Sequence, residues 1–446
     1  MKFLCRWARI SGSWQANVEL SVDSEGWITS VQCLPAWPGG GSVKLVLDEA
    51  CMELDGAVLP ALVNVHSHAF QWGFAGTSEF RTAERDSFWT WREQMFAFLE
   101  TLDIDRMYTV ARDLYARMRR AGYAWVGEFH YVHTAPDLSA YRPRGLLGDV
   151  LVNAALDAGL GICLLPTLYQ RGGFDERPLA GGQRRFGLSE TEFEEVVEAA
   201  LTRWGDHPRV RVGIALHSLR AVAAPTGRRV VEWFRRHVPH GVIHIHVAEQ
   251  EQEVADCLAA TGRRPVEYLL DEFPVDRQWC LIHATHLTPD EARRIAVSGA
   301  VVGLCPTTEA NLGDGIFEAE EFLLRQPGRI AIGGDSHVAI NPWAELRQLE
   351  TSQRLRTRRR AVLCTPERSC GEFLYDSVAR GGAQAAGIPG GELTAGMRAD
   401  WVQLTSPGDP QCAPGRLLDQ AIFCDPTPVE RRVYLGGQPV DLPLTG

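Results

Sequence analysis

Lysine is nearly missing from this chain: among 446 residues only Lys2 and Lys44 are lysines. Any metal site that needs a lysine beyond residue 44 is therefore excluded. Long apolar runs are missing too. No stretch reaches the roughly 18 consecutive apolar residues of a transmembrane helix, and the opening MKFLCRWARISGSW has no apolar signal-peptide core. Both absences point to a soluble, cytoplasmic protein. Paired cysteines are absent as well. Eleven cysteines are scattered without Cys-x-x-Cys spacing, the pattern of reduced and mostly buried thiols. Cys163, Cys280 and Cys305 sit inside apolar, strand-like runs and read as core. Positive charge is in deficit: the net charge of -11 argues against nucleic acid and against an anionic membrane surface as partner. An anionic substrate would need specific arginines acting against the overall field. No Gly-x-Gly-x-x-Gly follows the first buried strand, which removes the main support for a dinucleotide fold.

Eight apolar, β-like runs are present, at 61–66, 124–132, 161–169, 212–219, 242–248, 279–287, 300–307 and 329–337. Several are continuous rather than alternating, as parallel strands buried on both faces are. Between them, helical periodicity predicts helices over 106–121, 190–203, 228–236, 251–260 and 289–298. Alternating units of this kind predict an α/β fold, a (β/α)8 TIM-like barrel over 59–390, with a doubly wound open sheet as the alternative. Short β-like runs at 18–22, 27–32 and 43–47, and again at 400–404, 421–424 and 433–440, predict a small β-sandwich domain. It would be built from both chain ends, 1–58 and 391–446. The aromatic stretch 86–99 reads first as a packed helix and, more sharply, as a subunit contact.

In a barrel the working residues come from the C-terminal ends of the strands. The first strand ends in His66-Ser67-His68, and alternation along a strand projects both imidazoles to one side. The second end offers His130 and Tyr131, the fourth His217 and Arg220, and the fifth His246 with Glu249 three residues on. The sixth offers His283 and His286, the eighth Asp335 and His337. Most of the thirteen histidines therefore fall at strand ends. His66, His68 and His246 supply the three protein ligands a catalytic zinc ordinarily keeps, with Asp335 as a further ligand or a carboxylate orienting the water. Zinc would bring a bound water to a pKa of about 7. Asp335 would accept its proton, Glu249 would protonate a leaving nitrogen, and His283 would steady the attacking oxygen. His244 reads as a core or supporting histidine, and His130 as an orienter of Tyr131. His286 and His337 read as loop residues, and His207, His237 and His240 as solvated.

These residues carry a resemblance. HSHAFQ (66–71), His246, His283, Asp335 and the tail GELTAGMRADWVQL resemble the amidohydrolase superfamily. The lack of lysine rules out its form with two metals bridged by a carboxylated lysine, and HVAE (246–249) is similar to its mononuclear deaminase branch. Together with DSFWTWRE (86–93), EFHYVH (128–133), GQRRF (182–186), HSLRAV (217–222), HATHL (283–287), CPTTEANLGDGIF (305–317) and GDSH (334–337), the chain resembles the formimidoylglutamate deiminase family from about residue 55 to 400. The resemblance implies hydrolysis of N-formimidoyl-L-glutamate to N-formyl-L-glutamate and ammonia, in histidine degradation. It implies one divalent metal, zinc, on His66, His68, His246 and Asp335, with Glu249, His283 and Asp335 catalytic. It assigns substrate binding to Gln71, Tyr131, His217 and Arg220, with Arg92 reaching a carboxylate across the interface of a homodimer. Two arginines suit a dicarboxylate, because the guanidinium fork matches a carboxylate. The competing readings are a deaminase of formimino-aspartate or of an aminated purine or pyrimidine, and a catalytically inactive scaffold. Trp72 stands where the family has an arginine, beside the expected pocket, and Gly334 where serine is commoner.

Overall fold

The structure, a computed structural model, describes residues 1–35, 51–77, 79, 88–409, 411–424 and 426–440. Eight parallel strands run Leu62–Ser67, Tyr123–His130, Gly161–Leu168, Val210–Val212 continuing as Ile214–Ser218, Ile243–Val247, Trp279–His283, Val301–Leu304 and Arg329–Ile332. Each pairs with the next in sequence, and the eighth returns to the first through Ile332 and Asn64. The sheet is therefore a closed barrel. Nearly every strand residue is buried, which is why the runs were apolar without alternation.

The five expected helices are Ile104–Ala121, Glu190–Trp204, Ala224–His237, Glu251–Thr261 and Pro289–Ser298. Their ends follow from local chemistry. Asp103 accepts from the Arg106 amide, and Ser189 and Thr288 form capping boxes with Glu192 and Glu291. Further helices at Leu146–Asp157, Pro265–Glu272, Pro306–Leu312, Pro342–Thr357 and Cys370–Ala385 complete the outer layer. Several are buried on more than one face, which blurs the 3.6-residue period.

Both chain ends build a separate sheet. Its order is Gln438–Pro439, Glu430–Leu435, Trp401–Thr405, Cys51–Pro60, Lys2–Ile10, Ser13–Val22 and Ile28–Cys33. The strands hydrogen-bond in one continuous order around a small core of their own. Trp401 packs its ring on Phe3 and Tyr434 at 4.8 and 5.5 Å. The run 421–424, read as β, instead closes the helix Pro414–Phe423, whose Leu417, Leu418, Ala421 and Ile422 form a buried helical stripe. The run 43–47 lies outside the described residues. Cys51–Pro60 feeds straight into the first barrel strand. Arg9 clamps the sheet to the helix Cys370–Ala385 through Asp376, with Nε–Oδ1 3.1 Å and Nη2–Oδ2 2.8 Å. Among the described residues no helix is long and apolar enough to cross a membrane.

Candidate active site

The strand ends converge on one cavity. His68, Gln71, Arg92, Tyr131, His217, Arg220, His246, Glu249, His283 and Asp335 line it, and His66 lies fully buried beneath. Trp91, Met95, Tyr169, Phe186 and Leu312 complete its walls.

At the floor, His66 Nε2 lies 3.0 Å from His246 Nε2 and 3.4 Å from Asp335 Oδ1. His68 Nε2 lies 3.3 Å from the same Asp335 oxygen. The outer nitrogens fix the protonation of two of these rings. His68 Nδ1 donates to the Phe129 carbonyl and His246 Nδ1 to the His217 carbonyl, each at 2.9 Å. Their Nε2 atoms are therefore bare lone pairs aimed inward. Burial holds His66, His68 and His246 below the usual histidine range, so all three are neutral. Two bare nitrogens and a carboxylate oxygen turned towards one point make a site suited to a cation. Three imidazoles and a carboxylate suit a divalent transition metal, and His66, His68 and His246 form a metal-binding group by their geometry.

The floor is held by its surroundings. Glu128, buried on the second strand, accepts from Ser67 Oγ at 2.5 Å and from the Ala69 amide at 2.7 Å, bracing the turn that carries His66 and His68. Asn64 Oδ1 accepts from the Gly334 amide at 3.0 Å, and the His66 carbonyl accepts from the Asp335 amide at 2.9 Å. The first and eighth strands meet closely because residue 333 is glycine: a Cβ there would lie 2.7 Å from that of His66. His283, Ala248 and Asp335 adopt left-handed backbone, with φ of 69°, 51° and 46°. Such conformations cost free energy and concentrate at functional sites.

On the wall, His283 Nε2 lies 3.8 Å from Glu249 Oε1 and 3.9 Å from Asp335 Oδ2. Burial alone would lower its pKa, but the surrounding carboxylates Glu249, Asp335 and Glu309 outweigh it and raise it to about 10. Burial raises Glu249 to about 7, where it can hold or release a proton near neutrality. Towards the mouth, Gln71 Nε2 donates to Tyr131 Oη at 2.9 Å, leaving the buried Gln71 Oε1 without a partner among the described residues. Arg220 and Arg92 complete this end. Arg92 enters from the helix Phe88–Leu99 of its own chain and stacks over Phe96. No second subunit is needed to bring it to the cavity. That helix packs inward: Phe98 and Trp91 meet Phe74, each at 5.7 Å, and Phe96 meets Phe186 at 6.2 Å.

Other expectations change. His130 turns away from Tyr131, its ring 5.2 Å from that of His133, because neighbouring strand residues face opposite sides. His337 lies in the turn after the eighth strand, as expected, but is buried and sits 3.2 Å from Ser67 Oγ. His244 is core, as expected, its Nε2 2.8 Å from the Ala385 carbonyl. Trp72 faces away from the cavity. Its Nε1 donates to Asp113 at 2.8 Å and Arg117 stacks on its ring. Arg185 of GQRRF is structural, donating to the Leu102 and Thr134 carbonyls. Sequence reasoning missed Glu128, Tyr169, Glu309 and Asp314. Tyr169 follows the third strand in phase with its inward residues. Glu309 and Asp314 lie within CPTTEANLGDGIF, where the run was noticed but its carboxylates were not.

A closed parallel barrel with a metal-binding histidine group at the C-terminal ends of its strands defines a metal-dependent hydrolase. The amidohydrolase family matches residues 57–440, and the chain belongs to it. It is 40% identical over 438 residues to formimidoylglutamate deiminase of Pseudomonas aeruginosa, covering 97% of this chain and 92% of that one. The fold matches the crystal structure of an amidohydrolase from Brucella melitensis with a TM-score of 0.90 and 38% identity, over 98% and 94% of the two chains. It also matches a zinc-bound adenosine deaminase from Xanthomonas campestris at TM-score 0.77 and 21% identity, over 98% and 92%.

Proposed function

We propose that this enzyme hydrolyses N-formimidoyl-L-glutamate to N-formyl-L-glutamate and ammonia. The observation that carries the reading is the polarity of one cavity. Its floor is a set of inward-facing nitrogen and carboxylate acceptors, and its mouth holds Arg92 and Arg220. The substrate has the same polarity, an amidine at one end and two carboxylates at the other. The 40% identity to a formimidoylglutamate deiminase supports it. An aminated purine has no carboxylate to match the arginines.

His66, His68, His246 and Asp335 would hold one divalent cation, with zinc favoured by the imidazole-rich set. Such an ion lowers the pKa of a bound water to about 7. The chain's own residues do the rest. Asp335 Oδ2 takes a proton from the attacking oxygen. His283 Nε2–H donates a hydrogen bond to that oxygen as it adds to the amidine carbon. Glu249 gives its own proton to the imino nitrogen as the oxygen adds and takes the remaining hydroxyl proton as the carbonyl forms, while the proton held by Asp335 passes to the same nitrogen, which leaves as ammonia. Gln71 Oε1 accepts from a substrate N–H, and Tyr131 and His217 shape the passage beside it. Arg92 and Arg220 clamp the carboxylates. The reading extends to a cytoplasmic homodimer, for which sedimentation velocity gives the subunit count.

The test is ammonia release from N-formimidoyl-L-glutamate by metal-replete protein, with N-formimidoyl-L-aspartate and guanine beside it. Turnover of the glutamate compound, lost on chelation and restored by zinc, is expected. No turnover in protein shown to contain metal sinks the assignment.

A further inference from the structure

We propose that Glu309 is the positioning residue of His283, holding a proton on its Nδ1 so that Nε2 faces the reacting atoms. The inference rests on the proposed deimination for its kinetic consequence, but not for its geometry.

Glu309 belongs to the short helix Pro306–Leu312 that follows the seventh strand, and its carboxylate is buried, 5% exposed. Its Oε1 is fixed first by its own chain, accepting from the Cys305 amide at 2.8 Å. The same oxygen lies 3.2 Å from His283 Nδ1. A carboxylate accepts and cannot donate, so a bare Nδ1 at this distance would set two lone pairs against each other. The proton therefore sits on Nδ1, and the ring's other edge is turned to Glu249 and Asp335.

The need for an anchor is local. His283 ends its strand in the left-handed region, at φ 69°, so the regular pleat of the sheet does not aim its side chain. The Asp314 amide donates to the Glu309 carbonyl at 3.0 Å, and Gln250, next to Glu249, donates to Asp314 Oδ1. Glu309 is thus tied by main chain and side chain to the loop that also reaches the Glu249 segment. Its charge has a second effect: it stabilises positive charge on His283 when the ring donates towards the added oxygen. Glu309 is not among the residues that line the cavity.

The bland alternative is that Glu309 only closes its own helix by accepting from Cys305. Glu309→Gln separates the two, because glutamine keeps an acceptor for that amide and removes the charge. The expected result is a kcat lowered about 10- to 100-fold, the usual range for such supporting partners. KM should stay within about twofold and metal content should equal that of the parent. A second readout needs no substrate. In holoenzyme labelled with ¹⁵N-histidine, assigned by the signal lost in His283→Asn, the His283 Nδ1 resonance should be of the protonated type in the parent and should move in Glu309→Gln. A kcat within twofold of the parent, a loss that follows metal content, or an unmoved resonance overturns the proposal. If the parent itself does not deiminate the substrate, the proposed function fails, while the resonance still decides whether Glu309 sets the protonation of His283.

Discussion

The floor and the mouth of the cavity are made differently. The floor is built on strand ends and braced by neighbours: Asn64 and Gly333 set the approach of the first and eighth strands, Glu128 braces the histidine turn, and main-chain carbonyls fix His68 and His246. The mouth is built on connections. Arg92 rides a helix inserted after the first strand, and Arg220 lies two residues past the end of the fourth. The floor gathers imidazole nitrogens and a carboxylate, which suit a cation; the mouth carries the guanidinium groups of Arg92 and Arg220, which suit an anion. Rigid strand ends suit chemistry that tolerates little displacement. Connections suit recognition, which can change without disturbing the ion below.

The contrast breaks most sharply with His246→Ala. It should abolish bound metal and lower ammonia release at least about a thousandfold, since the nucleophile is generated there. Metal analysis beside the assay checks both, and full metal content would show that the floor is not the metal site. Glu249→Gln separates holding the ion from moving a proton. We expect metal retained and kcat down about 10²- to 10⁴-fold, the span of general acid–base catalysis. At the mouth, Arg92→Ala and Arg220→Ala should each raise KM about 10- to 100-fold, from about 1.5–3 kcal/mol per charge-assisted hydrogen bond. Metal should stay bound and kcat should change far less. An effect mainly on kcat would place these arginines with the floor. The smallest effect belongs to Trp72→Ala. Trp72 packs on Asp113 and Arg117 outside the cavity, so kcat/KM should stay within about twofold, while thermal unfolding detects a loss of about 1 kcal/mol.

The same contrast explains what the sequence disclosed. Strand-end histidines are legible because period two and the parallel barrel together dictate where a side chain points. His66, His68 and His246 meet at the floor for that reason, while Asp335 is brought there by the turn after the eighth strand. His130 was misread by one residue of that same period. Arg92 could be singled out only by resemblance, since nothing in an aromatic helix says which way its arginine turns. Glu128 and Glu309 were hidden for another reason. A buried carboxylate that orients a neighbour has no spacing rule, and its partner lies dozens of residues away. The helix Pro414–Phe423 was taken for a strand because only its last, apolar turn was read.

The bond between Asn64 and Gly334 spans 270 residues of chain. It lies on the seam where the first strand meets the last, and His66 and Asp335 stand on either side of that seam. A growing or refolding chain can complete seven units and still lack the carboxylate of the floor, because Asp335 meets the histidines only when the ring closes. Closing so long a loop costs chain entropy before any contact repays it. His66 and Asp335, which would both hold the ion, would then tie that loop together across the seam. Ring closure thus adds a carboxylate to a floor whose three histidines come from the first and fifth strands.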